Sequence, residues 1–176
     1  GDAILKPTTV VTDADVTVNR IEFNNATNGY VVGGLGRVNL AANTSNPPLN
    51  PSMSVLGTHQ FQVNVNLHDD TTVNVSSEST VIFNNTLALN ANTLTKIGAG
   101  TMAINNILAS AGTINCDEGT CSGSGTIGGD LNNNGGTISP GSSPGMMAVE
   151  EDFTQSQNGK LLIELGGTAA GTDHDV

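Results

Sequence analysis

The stretch Thr72-Val-Asn-Val-Ser-Ser-Glu-Ser-Thr-Val-Ile-Phe-Asn-Asn-Thr-Leu-Ala-Leu89 repeats one short pattern three times, a threonine followed by alternating apolar residues, starting at Thr72, Thr80 and Thr86. Threonine, valine and isoleucine favour extended backbone, and apolar residues two apart share one face of a strand. Between the copies lie Ser, Glu and Asn, which support turns through local side-chain hydrogen bonds. The Thr-plus-apolar start returns at 101, 113, 126 and 137, giving units of about 6–15 residues, each one strand and one corner.

The same reading extends toward the N-terminus, through Val16-Thr-Val18, Ile21-Glu-Phe23, Tyr30-Val-Val32, Val38-Asn-Leu40 and Met53-Ser-Val-Leu56. Phe61-Gln-Val-Asn-Val-Asn-Leu67 alternates strictly and predicts one longer half-buried strand. Leu161-Leu-Ile-Glu-Leu165 predicts a closing strand. Strands so short and so numerous predict a β-solenoid with Asn-, Gly- and Thr-rich corners, where narrow coils stack small and branched side chains. A sandwich of this length would use fewer, longer strands around a more aromatic core. Asparagines at successive corners would form amide ladders.

Composition agrees. Asn, Thr, Gly and Ser supply 78 of the 176 residues, whereas aromatics make up 3% and tryptophan is absent. Valine, isoleucine and leucine recur throughout, which separates the chain from disordered sequences. The net charge of −11, with only five basic residues, argues against nucleic acid or an anionic membrane as partner. No apolar run approaches the roughly 20 residues of a membrane-spanning helix. The chain is expected to be a single domain over residues 1–176, with a Pro-rich excursion at 43–52 and a rigid Pro-Gly corner at 139–145. It lacks an initial Met and a signal peptide, and is expected to be part of a longer protein.

Val18-Asn-Arg-Ile-Glu-Phe-Asn-Asn25, Tyr30-Val-Val-Gly-Gly34, Gly57-Thr-His-Gln-Phe61 and Asp70-Thr-Thr-Val-Asn-Val75 occur in an order that resembles the upstream part of proteins carrying the autotransporter-associated β-strand repeat. Leu94-Thr-Lys-Ile-Gly-Ala-Gly-Thr101 is similar to the repeat's signature. Ser124-Gly-Thr-Ile-Gly-Gly-Asp-Leu131, Gly136-Thr-Ile-Ser-Pro-Gly-Ser-Ser-Pro-Gly145, Phe153-Thr-Gln155 and Leu161–Thr168 resemble the segment downstream of the last repeat. The resemblance implies a right-handed parallel β-helix at the surface of a Gram-negative-type bacterium, and no single activity, since the repeat is a scaffold. One clear copy of the repeat is present; residues 102–122 are degenerate and hold the chain's two cysteines.

Those two, Cys116 and Cys121, fit no common zinc spacing; a short disulfide across a Gly-containing turn, which would place the protein outside the cytoplasm, and two separate thiols are the two readings. Gly123-Ser-Gly-Thr-Ile-Gly128 matches a dinucleotide fingerprint, yet no helix pattern comes after it, so it reads as corner glycines. His59, His68 and His174 lie far apart, and the adjacent Asp69 and Asp70 read as a solvated turn. No catalytic cluster emerges, which leaves a polysaccharide-cleaving β-helix enzyme as the weakest function reading. Glu150, Glu151 and Asp152, and Asp173 with Asp175, are candidate oxygen ligands for Ca²⁺, against a reading as solvated acidic turns. Asn25, Asn43, Asn74 and Asn84 head glycosylation sequons that chance also supplies in a chain so rich in Asn and Thr. The expected function is non-enzymatic and extracellular: a structural solenoid module of a surface layer, matrix or filament, self-associating or joined to neighbouring segments. The competing class is an adhesin or carbohydrate-binding module.

Overall fold

The computed structural model describes residues 5–106, 111–141 and 145–176. The described residues are all β, in 21 short strands joined by tight corners, with no helix. Thr8–Thr12, Val16–Val18 and Arg20–Asn24 trace three faces of one coil, and Tyr30–Gly34 then returns to pair in parallel with Thr8–Thr12. Repeating this path builds an eight-stranded sheet on the first face and a seven-stranded sheet on the third. The second face carries a four-stranded sheet and a two-stranded sheet. Every pairing between strands is parallel, and the protein is a right-handed parallel β-helix, the hand that parallel crossovers take. Thr80 pairs with Thr58 on one side and Thr101 on the other, so these coils span 22 and 21 residues.

The alternation seen in the sequence sets the interior. Strand Thr80–Phe83 turns Val81 and Phe83 inward, while Thr80 and Ile82 stay half-exposed. Because the register is kept from coil to coil, inward residues form columns: Val81, Met102, Cys121 and Ile138 stand one above another on the first face. On the second face Val38 stacks on Val65, and Val65 on Leu87. Apart from Phe153 near the C-terminus, the few aromatic rings pack against one another in the N-terminal half, where Phe23 stacks on His59 with centroids 4.7 Å apart and Phe61 lies parallel to Phe83 at 5.3 Å. Amide ladders form outside, as Asn66 Nδ2 donates to Asn39 Oδ1 at 3.0 Å and Asn105 Nδ2 to Asn84 Oδ1 at 3.0 Å.

Two strand expectations are corrected. Residues 61–67 are two strands, Thr58–Phe61 and Val65–Leu67, on different faces. The buried alternation continues through the corner because Val63 also points inward, so periodicity alone conceals the bend. The closing strand is only Lys160–Leu161; Leu162 N still donates to Ile138 O at 2.8 Å, but residues 162–164 lie outside any strand. Residues 41–51 form a loop between the second and third faces, tied down by Asn19 Nδ2, which donates to the carbonyls of Ala41 and Leu49. Of the 139–145 corner, Ser139 and Pro140 end the strand Thr137–Pro140, and residues 142–144 lie outside the described residues.

Candidate functional site

The third face begins as an apolar column and becomes polar. Met53 and Val73 are followed, one coil at a time, by Lys96, Cys116, Asn133 and Gln155. Lys96 sits inward on the strand Thr93–Ile97, sharing its face with Leu94, and is fully buried. Its ammonium donates to the carbonyl oxygens of Ile97 (3.0 Å), Gly98 (2.6 Å) and Glu118 (2.9 Å), which uses all three of its protons. The carboxylate of Glu118 in turn accepts from Gly98 N at 2.7 Å. Burial pulls the Lys96 pKa below its ordinary value, against the partial support of the neighbouring thiols and Glu118.

Cys116 and Cys121 are buried free thiols in the structure, so the disulfide expected from the sequence is not formed in it. They end the third-face strand Thr113–Cys116 and open into the first-face strand Thr120–Gly123 of the same coil. Cys116 Sγ donates to the Thr137 carbonyl oxygen at 3.9 Å. The mutual influence of the two neighbouring thiols is the largest factor holding Cys116 below the ordinary thiol value and Cys121 well above it. In the sequence Lys96 stands out only as part of the repeat signature; the alternation Leu94-in, Thr95-out, Lys96-in carries the signal that it is an interior cation.

The other sequence candidates are held by backbone groups. Tyr30 N donates to His59 Nδ1 at 2.9 Å, which places the ring hydrogen on Nε2, where it bonds the Leu56 carbonyl at 2.8 Å. Asp69 and Asp70 diverge: Asp69 accepts from Ala42 N on the preceding coil and Asp70 from Thr93 N on the following one. Asp175 is buried, and its two oxygens accept from Gly145 N (2.7 Å) and Glu164 N (2.8 Å). Asp173 Oδ2 accepts from Ala169 N, while Glu150, Glu151 and Asp152 stand exposed at a corner. Among the described residues no three His, Cys, Asp or Glu side chains converge as a metal set. Of the sequons, Asn25 is buried with Oδ1 accepting from Thr27 N and Asn28 N, and Asn43 Oδ1 binds the 43–49 turn; Asn74 and Asn84 are exposed.

One surface is distinctive. Thr58, Thr80, Thr101, Thr120 and Thr137 lie in register on five consecutive coils of the first face. Beside them runs a second row of Gln60, Ile82, Ala103, Ser122 and Ser139, so over these five coils neither row carries a charge in a chain of net charge −11; on the next coil Lys160 continues the threonine row. The chain matches no protein-family model, and neither characterised proteins nor solved structures show significant similarity to it.

Proposed function

We propose that this chain is a non-enzymatic structural module of a bacterial cell exterior, a β-solenoid segment of a surface layer, matrix or self-assembling filament. The supporting observation is the continuity of register, in which Thr58, Thr80, Thr101, Thr120 and Thr137 keep one position over five coils. Side chains with chemistry to offer, His59, Asp69, Asp70 and Asp175, are engaged by backbone groups that hold coils or the C-terminal tail in place. The resemblance to the autotransporter-associated repeat supports a location at the surface of a Gram-negative-type bacterium, joined to further solenoid segments or to copies of itself. Negative-stain imaging with and without a calcium chelator tests the reading: fibres or sheets support it, and their loss on chelation would assign the Glu150–Glu151–Asp152 corner a bridging Ca²⁺. Dispersed particles in both conditions would count against it.

The uncharged threonine face favours a second reading, an adhesin or carbohydrate-binding module. Flat rows of hydroxyl and methyl groups offer hydrogen bonds and apolar contact to a neutral, hydroxyl-bearing ligand without an unpaired charge to desolvate. Glycan-array binding that disappears in Thr101→Lys and Thr120→Lys chains would establish it in place of the first.

A further inference from the structure

The two ends of the described solenoid differ. At the N-terminal end Thr8–Thr12, Val16–Val18 and Arg20–Asn24 are the edge strands of their sheets. On the first two strands the inward positions are uncovered, with Val10 45% and Val16 39% exposed, whereas Phe23 on the third is buried. At the opposite end the edge strands are Phe153–Gln155, Lys160–Leu161 and Ala148–Val149. They frame a groove of about 260 Å³ lined by Phe153, Leu161, Ile163, Met147, Val149 and other apolar residues, in which Phe153 is 42% and Leu161 50% exposed. Unpaired strand edges over an open apolar interior are templates for further strands.

Charge divides along the same axis. Residues 5–37 carry three basic and three acidic side chains, whereas residues 145–176 carry one lysine against six acidic residues. On the third face one column runs from Arg20 through Ser52 and Thr72 and ends at Asn132 and Thr154. Continued by one more coil in the same register, that column would set Arg20 of a second copy over Thr154. Asp152 would then be its diagonal neighbour on the same outer side, about 7–8 Å away and within reach of a long side chain. Arg20 is exposed and, among the described residues, its ion pair is with the exposed Glu22 at 2.9 Å, so it is available for exchange.

We propose that the C-terminal groove receives the first coil of a second copy of this chain, head to tail, with Arg20 latched beside Asp152. Such an interface is heterologous and leaves both outer ends open, so it propagates as a filament. The inference rests on the self-assembling structural reading and names the surfaces that would perform it.

The test uses the 176-residue chain at physiological ionic strength, where charges are screened beyond about 8 Å. Val10→Asp disables the N-terminal end and Leu161→Asp the C-terminal end, and both positions are half-exposed enough for the fold to survive, which circular dichroism verifies. By sedimentation velocity the wild type forms a concentration-dependent ladder and each variant alone stays monomeric. An equal mixture of the two gives a discrete dimer, because one live end of each kind remains. Separately, Arg20→Asp or Asp152→Arg raises the concentration for half-assembly roughly tenfold, and the double exchange restores it. Wild-type assembly that persists in both end variants would overturn the head-to-tail interface and leave the structural reading standing through lateral contacts. Wild-type monomers at every concentration would overturn both.

Discussion

Lys96 Nζ reaches across a coil boundary to the carbonyl oxygen of Glu118 at 2.9 Å, binding the corner of one coil to the corner of the next. The same ammonium satisfies the carbonyls of Ile97 and Gly98, so Lys96→Met would leave three acceptors without this donor. The expected loss is about 1–3 kcal/mol, set by buried acceptors left unmet. Urea titration at neutral pH measures it. The pH dependence has a definite sign. Burial lowers the folded-state pKa of Lys96 below the ordinary 10.5, so in that window the unfolded chain binds more protons. The contribution of Lys96 therefore improves as pH rises from the lowered value toward 10.5, and the advantage of wild type over Lys96→Met should widen on the alkaline side. A gap that narrows would contradict the assignment.

Cys116 and Cys121 influence each other's titration, with Cys116 drawn below the ordinary thiol value and Cys121 pushed above it. The folded protein should therefore show one thiolate absorbance step in mild alkali, the second appearing only on unfolding. A disulfide between them closes a loop of few residues, so oxidation should add no more than about 2 kcal/mol. Intact mass and melting temperature, with and without reductant, check both. Two free thiols after prolonged exposure to a small-molecule disulfide would dispose of the bridge.

Gly119 and Gly33 predict opposite outcomes for the same substitution. Gly119 adopts φ +66°, and a Cβ there would run into the carbonyl oxygens of Gly98 and Gly100 and lie 2.7 Å from Lys96 Nζ. Gly119→Ala should cost upwards of about 1–2 kcal/mol from backbone alone, with the clash added. At Gly33 the nearest atom to an added Cβ is Thr9 Cγ2 at 3.7 Å, and the backbone is extended. Gly33→Ala should be neutral or gain about 0.4–1 kcal/mol through the unfolded chain. Equal effects at the two sites in thermal melts would refute this account.

The solenoid is legible in the sequence because threonine starts and apolar alternation recur at every face, and those are the features that parallel stacking requires. What stays hidden is three-dimensional. Alternation from Phe61 to Leu67 runs across a corner without a break, so the bend at Gln62–Asn64 leaves no mark in the pattern. Asp69 and Asp70 look like an acidic pair, yet they cap backbone N–H groups of different coils, which only the fold can separate. The threonine row of the first face needs a coil period that varies, as 22 residues between Thr58 and Thr80 and 21 between Thr80 and Thr101 show, and no fixed repeat reveals it. Lys96 is the instructive case: its inward position follows from alternation, but its three acceptors come from two coils.

Asp175 fixes the C-terminal tail over part of the groove. Its oxygens accept from Gly145 N and Glu164 N, Met147 N donates to Val176 O at 3.0 Å, and Val176 lines the groove itself. Asp175→Asn replaces one acceptor by a donor facing an N–H, which should cost the tail about 1–3 kcal/mol of local stability. Because few described contacts tie residues 164–176 to the stacked coils, the loss should stay local. Hydrogen exchange should accelerate at Glu164, Asp175 and Val176 while the strands from Thr58 to Phe83 keep their protection. Freeing the tail also uncovers Leu161 and Ile163, so Asp175→Asn should assemble at lower concentration than wild type if the groove accepts a second copy. Faster exchange in the tail with weaker assembly would mean that the tail itself forms part of the docking surface.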